Sequence, residues 1–270
     1  MIGELQALAW TKQYSLILTG CIPGKNLEVD LASLLKYQLD GMIVAGSDFE
    51  PEGLDAFTIK GIPLVQIGAG RLRKGVVSVT MNQELGLHRL LTYLTKLGHQ
   101  DIGYTGDDSP TNIRREGIVR TLLGSHELMA RPNAIVRVPT HDMETGYRAM
   151  HQLLQQCGEL LPTAVIAADD VIAQGALRAL FERRIRVPAD LSLAGIDDIP
   201  SARLTIPALT TLRQPMKAMV CHAFHLLTDS TTKTRVAREI VVDPELIIRE
   251  SCAAPRSRTS TNFTGTGERK

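Results

Sequence analysis

Three pairs of neighbouring aspartates follow short apolar runs of the sequence: Asp107-Asp108, Asp169-Asp170 and Asp197-Asp198. Carboxylates in such positions can act as general acids or bases, bind a metal ion, or accept paired hydrogen bonds from the neighbouring hydroxyls of a polyol. Catalysis would be supported by a nucleophile motif, a second acid in a distinct setting or a cluster of metal ligands, and we find no such pattern. The aspartates therefore favour polyol binding over enzymatic activity, with no metal ion and no cofactor.

One member of each aspartate pair has a plain structural role, because aspartate is a preferred N-cap of a helix that follows a strand. Asp170 precedes the helical pattern VIAQGALRAL and fits a cap or a first-turn position. We expect Asp169 and Asp197, the first members of their pairs, to point into a ligand-binding cleft.

Two adjacent arginines, Arg114 and Arg115, stand near the start of a predicted helix. A planar guanidinium group is suited to hydroxyl or carboxylate oxygens across a cleft. We expect Arg115 to be a solvated surface residue, and the residue types alone leave Arg114 open between a surface role and a cleft role.

Two histidines stand beside predicted strands. His99 lies in a short turn between a helix and a strand, where a capping or packing role is expected. His141 follows the apolar run AIVRV and either contacts a ligand or is a loop histidine in water.

The elements that must position these residues alternate along the chain. Short runs rich in β-branched residues are typical of strands buried on both faces, and the stretches between them have a helical period. This alternation predicts an α/β fold of doubly wound parallel sheets, in which ligands bind beyond the carboxyl ends of the strands. One sheet would need unusually many strands, so we predict two subdomains with a cleft between them.

The predicted strands are Ser15–Thr19, Met42–Ala45, Pro63–Ile67, Val76–Val79, Asp101–Thr105, Ala134–Val138, Ala164–Ala167 and Leu191–Ile196. The predicted helices are Ile2–Lys12, Leu27–Tyr37, Leu54–Ile59, Gln83–Leu97, Arg114–Leu123, Met143–Cys157, Val171–Arg183 and Met216–Thr228. The sequence after Cys252 is rich in Ser, Thr and Gly, so we expect residues 253–270 to be disordered.

The composition narrows the function classes. The chain has 270 residues, of which 44% are hydrophobic, and this excludes an intrinsically disordered protein. A formal charge of +1 gives no basic excess of the kind that proteins binding nucleic acid by themselves usually carry. The first residues do not resemble a signal peptide, and no run approaches the roughly 18 apolar residues of a membrane span. We expect a soluble, cytoplasmic protein that does not bind a membrane.

The cysteines show no CxxC pair and no metal-ligand spacing, so they predict neither a zinc site nor a disulfide framework. They are Cys21, Cys157, Cys221 and Cys252.

Several segments, in order along the chain, resemble motifs of the LacI/GalR family of bacterial transcription regulators. Each is weak alone, but the ordered set is specific and extends to Cys252. The segments are LDGMIV (39–44), GIPLV (61–65), LGHQDIG (97–103), RREG (114–117), PTAV (162–165), DDVIAQGA (169–176), GIDD (195–198), PALTTLRQP (207–215) and PELIIRES (244–251).

The resemblance implies a core similar to periplasmic sugar-binding proteins, with two α/β subdomains joined by three crossovers. The first subdomain would comprise residues 1–107 and 216–242, and the second residues 108–215 and 243–252. In such regulators a small effector, commonly a sugar or a nucleobase, occupies the cleft. We expect a sugar or sugar derivative here, bound by a homodimeric repressor.

The resemblance assigns the effector-clamping arginine to Arg114, three residues before the glycine of the RREG motif, and the hydroxyl-binding aspartate to Asp197. We expect Asp169, His141 and Gln214 to complete the effector site. Asp169 departs from the family pattern, since many relatives have asparagine there.

The start of the sequence departs most from the family. Relatives begin with a helix-turn-helix headpiece, a hinge helix and a first core strand, and we expect this chain to lack all three. Operator DNA would then be bound only through a headpiece absent from this chain, and the first sheet would lack a central strand.

Other functions stay open at this point. A stand-alone sugar-binding protein of the periplasmic type shares the core architecture, although the absence of a signal peptide disfavours it. An aspartate-based hydrolase is a further alternative, but the sequence shows no set of catalytic residues for it. Another is that a chain without a headpiece dimerises without binding DNA and acts as a dominant-negative partner.

Overall fold

The computed structural model describes residues 1–20, 34–46, 59–68, 76–128, 131–139, 142–228 and 238–256. Within these ranges the chain forms a four-stranded and a six-stranded sheet with helices packed against them. The fold is therefore α/β with mainly parallel pairing, as the alternation of apolar runs and helical stretches predicts.

The strands of the described residues are β1 (Met42–Ala45), β2 (Leu64–Ile67), β3 (Val77–Met81), β4 (Ile102–Asp107), β5 (Ile135–Val138), β6 (Ala164–Ala167), β7 (Ser192–Asp197), β8 (Thr210–Arg213), β9 (Arg238–Val242) and β10 (Glu245–Ile247). The α-helices are α1 (Ile2–Thr11), α2 (Gln83–Lys96), α3 (Pro110–Ser125), α4 (Met143–Cys157), α5 (Asp170–Glu182) and α6 (Met216–Thr228). Short 3-10 helices span Pro132–Ala134 and Pro200–Leu204.

The six-stranded sheet has the order β10-β8-β7-β6-β4-β5, in which β10 runs antiparallel to β8 and the other pairs are parallel. Strands β4 and β6 are buried along their whole length, and α3 and α4 both pack against β4. Burial on both faces explains why these strands are continuous apolar runs in the sequence.

The four-stranded sheet has the order β1-β2-β3-β9 and is parallel throughout. Helix α6 packs against β2 and β3, and α1 packs against α6. The chain passes between the two sheets three times: through α2 into β4, from β8 through α6, and from β9 into β10.

Helices α4 and α5 cross with their backbones in contact. A Cβ atom at Gly146 would overlap the carbonyl oxygen of Ile172, and a Cβ atom at Gly175 would overlap the carbonyl oxygen of Met143. Glycine at both positions therefore permits a crossing that no other residue allows without separating the helices.

His99 lies before β4 and links the residues that precede β6 to the C-terminal segment of the described chain. Its buried ring lies 2.9 Å from Thr163 Oγ1 through Nδ1 and 2.9 Å from the Ala253 carbonyl oxygen through Nε2. Burial lowers the pKa of His99, and the bond to Ala253 opposes this only in part. The predicted packing role of His99 is confirmed.

The predicted strand Ser15–Thr19 is wrong, because these residues have no regular structure and Leu16, Ile17 and Leu18 are 48%, 50% and 71% exposed. Within the described residues β1 pairs with β2 alone, and the segment Ser15–Thr19 pairs with no strand. The predicted helices Leu27–Tyr37 and Leu54–Ile59 lie mostly outside the described residues. The disordered tail predicted from residue 253 does not begin there, because the Ala253 carbonyl accepts a hydrogen bond from Ser192 Oγ at 3.1 Å; residues 257–270 lie outside the described residues.

The predicted boundary at residue 107 also needs correction. Strand β4 belongs to the six-stranded sheet, where it pairs with β5 and β6, although the bounds implied by the family resemblance place it in the first subdomain. The chain crosses between the sheets before residue 102, because α2 follows β3 of one sheet and leads into β4 of the other.

Candidate functional site

Polar residues gather at the carboxyl ends of the adjacent strands β8, β7, β6 and β4. Parallel strands bring their carboxyl ends to one edge of the sheet, which is the usual ligand-binding edge of an α/β fold. The structure places Asp197 at the end of β7 and Gln214 directly after β8, and the backbone N–H of Gln214 donates to the Asp197 carbonyl 3.3 Å away.

The backbone turns sharply after β7. Asp197 and Asp198 have φ angles of 115° and 55°, in the left-handed region that aspartate tolerates better than most residues other than glycine. The Asp197 carboxylate at this turn is partly exposed. We name residues 197–199 the site turn.

Arg115 lies beside Asp197. Its buried guanidinium donates from Nη1 to the Ala168 carbonyl at 2.6 Å and to Asn112 Oδ1 at 3.5 Å, while Nη2 lies 3.6 Å from Asp197 Oδ1. The expectation that Arg115 is a solvated surface residue is wrong, since only 6% of it is exposed. Arg114 is exposed on the outside of α3, and the structure does not bring it to this site.

Of the two positions expected for Asp170, a cap or the first turn, the structure shows the first turn, because Asp170 is the first residue of α5. Asp169 is the N-cap, because its Oδ1 accepts from the Ile172 N–H at 2.8 Å. Asp170 is fully buried and accepts from Thr211 Oγ1 at 2.6 Å and from the Ile199 N–H at 2.9 Å. Asp169 is itself 3% exposed, and its predicted contact with an effector stays a prediction.

Asp198 anchors the site turn to the rest of the sheet. Its carboxylate receives Arg213 Nε at 2.7 Å and Arg249 Nη2 at 2.5 Å. Burial opposes ionisation of this carboxyl, but the hydrogen bonds from Arg249 and Arg213 outweigh it and lower the pKa of Asp198.

Substitution of Asp198 by asparagine is expected to lower the free energy of unfolding by about 2 kcal/mol at neutral pH, since both arginines lose an ionised acceptor. A lowered pKa in the folded state gives stability that is present above the unfolded-state pKa and is lost as the pH falls through the folded-state pKa. The difference in unfolding free energy between the wild type and Asp198→Asn, measured by urea unfolding, should therefore disappear below about pH 4.

Asp190→Asn, which removes the exposed pair with Arg186, is the control and should lower the free energy of unfolding by less than about 1 kcal/mol. Equal losses in both variants would contradict this role of Asp198.

A cavity of about 560 Å³ opens next to the site turn. It extends from the turn along the connection between β8 and α6, where the chain crosses from one sheet to the other. The lining residues are Asp197, Asp198, Arg213, Gln214, Pro215, Met216, Lys217 and Ala218.

A second cavity of about 530 Å³ lies on α4 and the end of α5. We name it the α4 cavity; it is lined by Tyr147, Arg148, His151, Gln152, Gln155 and Arg183. None of the residues expected to bind an effector lines it.

His141 lies outside the described residues. Among the residues that the structure describes, no group of three or more His, Cys, Asp or Glu side chains could hold a metal ion. No helix of the described part is long and apolar enough to cross a membrane.

Sequence reasoning missed Arg115 and the structural use of Asp170. The signal for Arg115 was present: Ser109-Pro110 is a capping residue followed by a first-turn proline, and it sets the helix start four residues before the predicted one. No comparable signal marks Asp170, whose partners stand 29 and 41 residues away in the sequence.

Comparison with known protein families gives a match to the family described as "Periplasmic binding protein-like domain" over residues 91–252. The HTH-type transcriptional repressor PurR of Serratia proteamaculans (strain 568) is 32% identical over 262 residues, which are 94% of this chain and 75% of the relative. PurR of Yersinia pestis bv. Antiqua (strain Antiqua) is 33% identical with the same coverage.

Solved structures share the fold. A LacI family transcriptional regulator from Enterococcus faecium with bound ribose superposes with a TM-score of 0.82 at 22% identity, covering 94% of this chain and 93% of that one. The complex of the transcriptional regulator CelR with cellobiose gives a TM-score of 0.83 at 23% identity, covering 93% of this chain and 77% of that one.

Proposed function

Because this chain belongs to the LacI/GalR family of transcriptional regulators, with the periplasmic-binding-protein-like fold of the effector-binding core, we propose that it binds a sugar or sugar derivative at the carboxyl ends of β4, β6, β7 and β8. The bound effector then changes the affinity of the regulator for its operator. Arg115, Asp197 and Gln214 are the proposed effector contacts.

The arrangement of Arg115 and Asp197 carries this proposal. A guanidinium donates hydrogen bonds and a carboxylate accepts them, so the two groups match a pair of neighbouring hydroxyls, each of which both donates and accepts. Arg115 Nη2 and Asp197 Oδ1 lie 3.6 Å apart, beyond a good hydrogen-bond length, so a hydroxyl that binds between them does not have to displace a strong bond from one group to the other.

Two solved structures that share the fold support a sugar-like effector, since one contains ribose and the other cellobiose. The two PurR relatives, at 32% and 33% identity, are repressors rather than enzymes or transport proteins. This favours a regulator over the alternative of a stand-alone sugar-binding protein.

Coupling to DNA follows from the place of the cavity. Residues 214–218 line it; they comprise the two residues after β8 and the start of α6, which packs on the four-stranded sheet. We assign the sheets to two subdomains, so a ligand here contacts the segment that joins them. A ligand that prefers one arrangement of the subdomains shifts the population toward it, and thereby the operator affinity of the homodimeric regulator.

Calorimetric titration of the full chain with pentoses, hexoses, disaccharides and nucleobases tests the proposal. We expect at least one sugar, with D-ribose and cellobiose in the panel, to bind in the micromolar to millimolar range, and Asp197→Ala to abolish the binding. Binding of a nucleobase alone would overturn the sugar assignment. Absence of binding across the panel would overturn the effector site.

A further inference from the structure

Asp170 is a fully buried carboxyl group directly behind the site turn. Its Oδ2 accepts from the Ile199 N–H of that turn at 2.9 Å, and its Oδ1 accepts from Thr211 Oγ1 on β8 at 2.6 Å. A Cβ atom at Gly195 would overlap Oδ1, so the glycine of β7 is what lets the carboxyl approach so closely. Asp170 thus joins α5, the site turn and β8.

We propose that Asp170 is a positioning residue of the effector site, which holds the site turn in its binding geometry while its carboxyl is protonated and lets the turn open when the proton is lost. This inference rests on the proposed function for its link to effector affinity. The link between protonation and the turn is a property of the ligand-free chain.

The groups around Asp170 disfavour its ionised form. The carboxylates of Asp197 and Asp198 face it from the site turn, and Asp169 precedes it in the chain. The nearby cations pair with other carboxylates: Arg213 and Arg249 bind Asp198, and Arg115 faces Asp197. The charge that ionisation of Asp170 creates is therefore buried beside two carboxylates, while these three arginines are engaged with Asp197 and Asp198.

Burial raises the pKa of Asp170 to about 7, although the hydrogen bonds from Thr211 and Ile199 oppose the shift. Opening of the site turn would admit water to the carboxyl and move the neighbouring carboxylates away, which returns the pKa toward its ordinary value. The closed turn consequently binds the proton more tightly than the open turn, and a rise in pH favours opening.

Asparagine imitates the protonated state of this residue. Its amide oxygen can accept from the Ile199 N–H while its NH₂ donates to the Thr211 hydroxyl oxygen, and it carries no charge at any pH. Asp170→Asn should hold the turn closed across the pH range in which the wild-type turn opens.

Amide hydrogen exchange of Ile199 in the full, ligand-free chain tests the inference. Each pKa unit of difference between the closed and open turns corresponds to about tenfold in the opening equilibrium. We expect the protection factor of Ile199, corrected for intrinsic exchange, to fall about tenfold or more between about pH 5.5 and about pH 8 in the wild type. In Asp170→Asn it should stay constant.

Asp190→Asn is the matched control, because it makes the same change at an exposed carboxyl paired with Arg186 and should retain the wild-type fall. Thr211→Val removes a bond that favours the ionised form and should move the fall to higher pH. Constant protection in the wild type, or an unchanged fall in Asp170→Asn, would overturn the proposal. The wild-type profile decides even if a variant fails to fold.

Sugar titration at both pH values separates this proposal from the proposed function. We expect the affinity for the sugar that binds in the calorimetric panel to fall about tenfold in the wild type and to stay constant in Asp170→Asn. A pH-dependent Ile199 protection in a chain that binds no panel sugar would support the role of Asp170 at the turn and overturn the effector assignment.

Discussion

Replacement of Gly175 by alanine is expected to lower the free energy of unfolding by about 3 kcal/mol or more. The added methyl group would overlap the Met143 carbonyl oxygen and lie 2.6 Å from the Tyr147 nitrogen. Both are backbone atoms of α4, so no flexible side chain can yield, and the two helices must move apart. Gly146→Ala should act in the same way, because its Cβ would overlap the Ile172 carbonyl group.

Thermal unfolding measures this effect, with an expected decrease in melting temperature of about 5–10 °C for Gly175→Ala. Gly117→Ala is the control: Gly117 lies in the middle of α3 and its Cβ would meet no atom within 4 Å. There alanine should stabilise the protein by about 0.5–1 kcal/mol, because glycine is the poorer helix former. A Gly175→Ala variant as stable as the wild type would show that the crossing is looser than the structure has it.

Replacement of Arg115 by alanine is expected to weaken sugar binding about 100-fold, which corresponds to about 2.7 kcal/mol. The variant loses a buried cation that faces Asp197 and is held in place by the Ala168 carbonyl. Arg115→Lys should lose about tenfold, since an ammonium group keeps the charge but not the planar fork.

Arg114→Ala provides the matched control, because it removes the adjacent, exposed guanidinium from the same helix turn. Its sugar affinity should stay within about twofold of the wild type, as expected for a solvated surface charge. Calorimetry gives both affinities, and melting curves without sugar show whether each variant is folded. If Arg114→Ala lost sugar binding and Arg115→Ala kept it, Arg114 would be the effector-clamping arginine, as the RREG motif predicts.

Strands β4, β6 and β7 could be predicted from the sequence within about two residues, since strands buried on both faces are unbroken apolar runs. Strands β8, β9 and β10 could not, because polar or charged residues interrupt their apolar pattern. The segment Ser15–Thr19 has the composition of a strand, yet a strand also needs a partner strand. Local sequence does not determine which strands form hydrogen bonds with each other.

The candidate site shows the same limit at single-residue scale. Successive side chains of a helix point about 100° apart, so the inward arginine depends on where the helix begins. Helix α3 begins at Pro110, not at Arg114, and Arg115 is the inward residue. Helix α5 begins one residue before its predicted start, so the cap is Asp169 and Asp170 turns into the interior. The position of Asp197 could be predicted without knowing where a helix begins, because Asp197 ends a buried strand.

The central claim is that a sugar binds beside Asp197 and Arg115, and hydrogen exchange of the full chain with and without saturating sugar tests it most directly. The sugar with the highest affinity in the calorimetric panel should protect the start of α3, the site turn and residues 214–218 while leaving the α4 cavity unchanged. Protection confined to the α4 cavity, or none at the site turn, would contradict the account.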